Sequence, residues 1–302
     1  MPANLEVGLR RTTLPMGPLQ PRRLLDIIQR LPATEGGNSM RWLEGVTWEP
    51  FTCGPTLLAI DEATCSTDPP DLDAAYVDAL GAVQTCAAWK SQTPFQIIDG
   101  FNASTLDYTA GEVGDRLIAM YNREISAAFA RELLSGNGSS DRSLSNEAVA
   151  PAELAFGAAV PLKRALSALE SHLALTLQGV VGYLHVPPGL LAEAVLTYGL
   201  RLVDGHWETP AGNIVISDAG YAEPPNPGGG AVADGEDWIY SSGPIFYEST
   251  APVNLTAFEG GTGGANDTTP WNRNRFTEWL VGYGILVFDD CGVSAALASY
   301  TT

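Results

Sequence analysis

Lysine is all but missing from this sequence: Lys90 and Lys163 are its only two, beside three histidines and four cysteines in 302 residues. Positive charge therefore rests on arginine, whose planar fork pairs with carboxylates as readily as with phosphates. The cysteines (Cys53, Cys65, Cys86, Cys291) show neither CxxC nor CxH spacing, which argues against a zinc site or a dense disulfide framework. A loop closed by Cys53 and Cys65 stays open as an alternative, but buried free thiols are the expectation. No apolar run reaches 18 residues, so no membrane span is expected. The first thirteen residues, MPANLEVGLRRTT, lack the apolar centre of a signal peptide. Neither a GxxxxGK[ST] loop nor a GxSxG elbow occurs, and Gly228-Gly229-Gly230 lies in a Pro/Gly-rich stretch without a following helix. No internal repeat is visible.

What is abundant is negative charge, and it is unevenly spread. The net charge is −19. Residues 1–41 carry Arg10, Arg11, Arg22, Arg23, Arg30 and Arg41 against Glu6, Asp26 and Glu35, a net of +3 that leaves −22 for the remainder. A body this acidic repels polyphosphate, which excludes sequence-specific nucleic-acid binding as its expected role. The basic leader suits an acidic neighbouring subunit, nucleic acid, or plain solvent. With 45% hydrophobic residues, the chain has ample material for one large core or two modest ones.

The stretch on which everything else can be placed is Thr109–Ser135. Thr109 and Glu112 form a capping-box start, and Gly136-Asn137-Gly138 supplies a left-handed exit. Between them Val113, Leu117, Tyr121, Ile125, Phe129 and Leu133 recur every four residues, with Ile118 and Ala128 beside them. A helix over this span is about 39 Å long. Spacing of four overshoots a turn by about 40° per step, so the apolar stripe winds and must meet several elements in succession.

Around this helix the chain reads in order. Residues 1–22 are broken by Pro2, Pro15, Pro18 and Pro21, and Arg22–Leu31 is expected as a short amphipathic helix. Such an arm cannot bury its own apolar side and must lie on the chain's body or on a neighbouring copy. Trp42–Cys65 reads as extended segments and turns, Asp71–Trp89 as a helix and Thr93–Phe101 as a strand with Phe95 and Phe101 in the core. After a polar loop at Asp141–Glu153, the leucine ladder of Pro161–Gln178 predicts a helix with Pro161 at its first position. Val180–Val186 is a buried strand, Leu190–Tyr198 a third helix, and Leu200–Val203, Trp207–Thr209 and Asn213–Ser217 are short strands. Asp237–Phe258 supplies strands around Gly243-Pro244, between soft loops at 222–236 and 259–274. Arg275–Phe288 is β-branched, aromatic and interrupted by Gly282 and Gly284, which favours strand, and Asp289–Thr302 adds a further apolar stretch.

Candidate chemistry is sparse. His172 is expected on the wet face of its helix, His185 at a strand end and His206 after a turn glycine. A metal site would need two or three of them to converge, and a serine or cysteine nucleophile beside His185 has no supporting spacing. The Asp289-Asp290 pair is the most conspicuous carboxylate feature, but neighbours in a strand face opposite ways, so a solvated strand end is expected. Asn102, Asn137, Asn254 and Asn266 head Asn-x-Ser/Thr triplets that read as chance matches. No residue is assigned a catalytic, cofactor-binding or metal role, and no enzyme activity or cofactor is expected.

The order of elements, however, resembles that of the HK97-type major capsid proteins of tailed bacteriophages, whose α+β fold is shared with encapsulin shells. The resemblance is carried by TPFQIIDGFNASTLDYTAGEVGDRLIAMYNREISAAFARELLSG (strand and long helix) and ALSALESHLALTLQGVVGYLHVPPGLLAEAV (helix, strand, helix). WETPAGNIVISDAGY resembles the short strands that follow, and RNRFTEWLVGYGILVFDDCGVSAAL the closing strand. It spans most of the chain from residue 93 onward.

The resemblance implies an N-terminal arm over 1–45 and an extended loop over 46–98 reaching across a neighbouring subunit. It implies a peripheral domain over 99–178 with its spine helix at 109–135, an axial domain over 179–272, and a C-terminal strand over 273–302 returning to the peripheral domain. The helical segment Asp71–Trp89 departs from the family's two-stranded loop. The implied function is a capsid protein whose hexamers and pentamers form an icosahedral shell around double-stranded DNA contacted non-specifically. Scaffold, portal and decoration proteins are further implied partners, and the virion, assembled in a bacterial cytoplasm, is the implied location. An encapsulin-like compartment, or another virion part such as a tail or decoration protein, is the alternative. Some members join subunits through a lysine–asparagine bond; Lys90 is the sole candidate on the extended loop here, an ordinary surface lysine is the expectation for it, and no self-crosslinking is expected.

Overall fold

The computed structural model describes residues 23–31, 41–48, 90–104, 110–136, 142–177, 179–227, 232–259 and 275–300. The expected helix Asp71–Trp89 and the capping residue Thr109 lie outside these ranges. In chain order the elements begin with α1 (Leu24–Ile27), β1 (Gln29–Arg30), a 3₁₀ turn at Arg41–Glu44, β2 (Val46–Trp48), β3 (Lys90–Gln92) and β4 (Phe95–Ser104). The long helix α2 (Ala110–Ser135), α3 (Leu144–Glu147), β5 (Val160–Pro161) and α4 (Leu162–Leu177) come next. Then follow β6 (Tyr183–His185), α5 (Pro188–Tyr198), β7 (Arg201–Val203), β8 (His206–Glu208), β9 (Ile214–Ile216) and a 3₁₀ turn at Ala219–Tyr221. Strands β10 (Glu236–Ser242), β11 (Ile245–Ser249), β12 (Val253–Glu259), β13 (Arg275–Phe288) and β14 (Ser294–Ser299) complete the chain. The mixture is α+β.

Two sheets organise these elements. In the first, β13 is the axis: β4 runs antiparallel along one edge from Phe95↔Gly284 to Ser104↔Arg275. β11 and then β12 run antiparallel along the other, and the pairing slips by one residue between them, at Thr250–Pro252. β1 adds in parallel to β11. The second sheet has seven strands in the order β5-β14-β10-β6-β9-β8-β7. The segment expected as one C-terminal strand over 273–302 therefore contains two: β13 belongs to the first sheet and β14 pairs with β10 in the second. β2 and β3 form a separate two-stranded stem.

The winding stripe of α2 does what its spacing requires. Val113, Leu117 and Tyr121 are buried with Leu280 in one cluster, while Phe129, Leu133 and Leu134 join Leu24, Tyr221, Trp238 and Phe288 in a larger one. Ile118, expected to fill beside the stripe, stands exposed. Glycines of β13 face the helix where its aromatic rings come closest. A Cβ on Gly282 would lie 2.0 Å from the Tyr121 hydroxyl, and one on Gly284 would lie 2.4 Å from the Phe129 ring. α4 and α5 cover the second sheet, with Leu166, Leu169 and Leu173 buried against Leu184, Val215 and Ile239.

Three local expectations give way to tertiary contacts. The arm helix shrinks to four residues, because Gln29 and Arg30 are recruited as a strand by Phe246 and Tyr247; so short a helix has little cooperativity to resist this. The loop at 141–153 contains α3, capped by Ser143, which accepts from the Asn146 amide at 3.3 Å. Pro161 pairs with Ser299 as the end of β5, and the helix starts one residue later.

Candidate functional site

His185, on β6, has both ring nitrogens partnered. Its Nδ1 lies 2.8 Å from the Tyr221 hydroxyl and its Nε2 lies 2.8 Å from Ser242 Oγ on β10. A serine does stand beside His185, which no sequence spacing had suggested. Yet both side chains are fully buried, and burial alone pushes the imidazole down to about 3, so it is neutral at physiological pH. Tyr221 is pushed well above its ordinary value by burial and by neighbouring Asp218. A sealed, neutral His–Ser–Tyr set with every ring nitrogen partnered is a packing device. His172 is half-buried, not on a wet face, and its basicity is lowered by that burial. His206 lies 2.8 Å from Glu208. The three histidines do not converge, and among the described residues no three His, Cys, Asp or Glu side chains form a metal-ligating group.

Asp289 and Asp290 sit in the turn after β13 and not at a solvated strand end. Asp289 is buried, and Asp290 accepts from both Lys90 and Arg142. Arg142 also pairs with Glu147 at 3.7 Å, and its guanidinium lies 5.5 Å from the ring centres of both Trp48 and Phe288. Lys90 is thus no ordinary surface lysine. Its side chain is 16% exposed, and burial first, then the Arg142 charge, lowers its basicity. This cluster fastens the β2/β3 stem to the body. Cys291, next in the turn, is disulfide-bonded and so departs from the free thiol expected; Cys53, Cys65 and Cys86 lie outside the described residues.

Sequence reasoning also missed two buried polar atoms between α2 and the first sheet. Among the described residues Glu278 Oε2 and the Tyr121 hydroxyl find no hydrogen-bond partner. Gly114 makes room for the former: a Cβ there would come within 3.2 Å of Glu278 Oε2 and 3.0 Å of Asn254 Nδ2. Glu278 alternates with Leu280 and Gly282 on the helix side of β13, a parity that could have been read once the strand was assigned.

The opposite side of that sheet is an open apolar surface. Pairing places Ile98, Val281 and Val253 in one cross-strand row and Gly100, Trp279 and Leu255 in the next. Trp279 lies over Gly100, where a Cβ would meet its ring at 2.8 Å. Ile98, Val253 and Leu255 are 55%, 60% and 50% exposed. The far edges of β4 and β12 pair with no strand among the described residues. Elsewhere, Leu196 and Leu202 stand exposed near the α5–β7 end of the second sheet. Among the described residues no helix is long and apolar enough to cross a membrane.

No protein-family model matches this chain, and no curated protein matches it in sequence. Solved structures do. One from Mycobacterium phage Ogopogo superposes with a TM-score of 0.50 at 11% identity, covering 93% of this chain and 94% of that one. The capsid of an empty GTA particle gives 0.44 at 14% identity, covering 91% and 88% of the two chains. The holo-SrpI encapsulin complex of Synechococcus elongatus gives 0.43 at 12% identity, covering 71% and 78%. The fold is the HK97-like α+β fold.

Proposed function

We propose that the chain is a shell-forming structural protein, the major capsid protein of a tailed-phage type of icosahedral head. The observation that carries this reading is the apolar face built from the rows Ile98–Val281–Val253 and Gly100–Trp279–Leu255, flanked by two strand edges that are unpaired among the described residues, on an HK97-like fold. An isolated globule gains nothing from such a surface, and a long unpaired edge invites pairing with another chain. Covered by sister molecules, the same surface drives association, and stability rises with assembly.

In this reading residues 1–45 are the arm, 46–98 the loop that crosses a neighbour, 99–159 with β11–β13 the peripheral part, and the seven-stranded sheet with α4 and α5 the axial part. Copies associate as hexamers and pentamers, and no residue takes a catalytic role. The acidic body, −22 outside the first 41 residues, keeps packaged DNA from adhering to the wall. Negative-stain microscopy of the expressed protein tests the proposal. Closed shells of uniform size support it, and nucleic acid inside them separates a phage head from a protein-loaded compartment. A protein that stays monomeric at high concentration, or forms only tubes, overturns it.

A further inference from the structure

Cys291 sits in the turn between β13 and β14, 6% exposed, where two connections between the sheets meet. A Cβ on Gly243 would lie 2.8 Å from its carbonyl oxygen, and one on the next residue, Gly292, would lie 3.3 Å from Leu177 at the end of α4. The Cys291 sulfur is disulfide-bonded. The chain has three other cysteines, Cys53, Cys65 and Cys86, and all of them fall between Trp48 and Lys90. The bond therefore ties this turn to the segment that the β2/β3 stem closes.

The stem is already held at the same turn. Lys90 pairs with Trp48 across the stem and donates to Asp290, the residue before Cys291. Arg142 also donates to Asp290, and its guanidinium lies 5.5 Å from the Trp48 ring centre. Covalent reach ranks the three candidates. Cys86 precedes Lys90 by four residues, a tether of at most about 14 Å that starts from a side chain in contact with Asp290. Cys53 follows Trp48 by five residues with Pro50 among them, and Trp48 reaches Asp290 through Arg142. Cys65 is 17 residues from Trp48 and 25 from Lys90, and a longer tether costs more entropy to close.

Disulfides persist in oxidising surroundings and open in reducing ones, so a bond at this place sets how firmly the stem is held. We infer that Cys86 and Cys291 form a redox-operated clasp between the segment 49–89 and the junction of the two sheets. It closes by exchange with a small-molecule disulfide such as oxidised glutathione. The thiolate of one cysteine attacks that disulfide and expels one small thiol. The other thiolate then attacks the mixed disulfide and expels the second. Two protein thiols are oxidised, one small disulfide is reduced to two thiols, and two protons pass from the former to the latter. With the clasp open, the stem rests on noncovalent contacts, the ion pairs on Asp290 among them, which weaken with salt. With it closed, a covalent bond stands beside them. The clasp lies within one chain and does not depend on shell formation.

The test takes the full chain as an equal mixture of ¹⁴N- and ¹⁵N-labelled protein. Samples are equilibrated at rising ratios of oxidised to reduced glutathione, blocked with iodoacetamide in denaturant, and mapped by mass spectrometry without reduction. Expected is a peptide pair joining Cys86 to Cys291 within a single isotope, its yield rising with the ratio. At high salt, hydrogen exchange of the β2 and β3 amides is expected to be about tenfold slower in the oxidised protein than in the reduced one. Cys86→Ser, which leaves the buried Cys291 in place, is expected to show the fast rate under both conditions. Cys291 joined to Cys53 or Cys65 overturns the pairing, and Cys291 joined across isotopes overturns the single-chain clasp. Cys291 alkylated at every ratio overturns the bond itself. Equal exchange in oxidised and reduced protein, or a slow rate kept by Cys86→Ser, overturns its hold on the stem.

Discussion

Ser126, midway along α2, donates its hydroxyl proton to Asp218 at 2.7 Å, although 92 residues separate them. The same carboxylate accepts from the Leu24 amide at 3.1 Å and the Gly220 amide at 3.0 Å. One buried side chain thereby ties the arm segment, the long helix and the turn after β9.

Asp218→Ala leaves two buried backbone donors and one hydroxyl without their acceptor. A loss of about 3 kcal/mol is expected in urea denaturation of the unassembled chain. Ser126→Ala removes one donor to the carboxylate, which keeps two others, and the acceptor of the partly buried Leu25 amide; it should cost about 1–2 kcal/mol.

His185 predicts a pH dependence. Its folded-state value, about 3, lies below the ordinary 6.5, so the unfolded chain binds the proton more readily. The stabilising contribution is complete above about pH 6.5 and is lost as pH falls through the window toward 3. At roughly 1.4 kcal/mol per pH unit, about 3 kcal/mol disappears between pH 7 and pH 4. His185→Gln should cost about 1–2 kcal/mol at pH 7 and flatten that part of the profile. A mutant whose stability tracks the parent's between those two pH values counts against it.

Arg142 is the hinge pin of the ionic cluster. Arg142→Met leaves Glu147 unpaired and Asp290 with Lys90 alone. Since Asp290 is 37% exposed, screening reduces the cost to about 2 kcal/mol. Hydrogen exchange should show faster amide exchange in β2 and β3 than in β13. Because the Lys90 amine is already committed to Asp290, assembled particles boiled in detergent and reductant are expected to migrate as a single monomer band; a ladder of covalent multimers refutes this.

Gly284→Ala places a methyl 2.4 Å from the Phe129 ring and 2.8 Å from that of Phe95. Overpacking of this kind costs about 2 kcal/mol, measurable as a lower denaturation midpoint. Ala substitution at Gly212, whose Cβ would meet nothing within 4 Å, carries no such clash and only the strain of its positive φ.

The long helix was legible in the sequence because its evidence is local: a stripe at spacing four ending on Gly136, whose φ is +66°. The leucine ladder of α4 and the length of β13 were legible for the same reason. Sheet membership was not. Nothing in Ser294–Ser299 says that it pairs with β10 when the preceding strand pairs with β11. The partners of Asp290 were equally hidden, since Arg142 comes from 148 residues away. An acidic pair at a strand end reads as solvated until the fold delivers its cations. The apolar sheet face was invisible for a subtler reason. β13 is apolar on both sides, so its pattern announces burial without saying that one side is left for another molecule.

The two sheets are joined where β10 passes into β11 and again where β13 passes into β14, and these crossings touch. A Cβ on Gly243 would lie 2.8 Å from the Cys291 carbonyl, and one on Gly292 would lie 3.1 Å from the Gly243 nitrogen. The two crossings are braced against each other, with Leu177 at the end of α4 close to both. A third crossing runs from β4 through the long helix to β5. Loosening either braced crossing therefore disturbs the other, and the two sheets are expected to shift together.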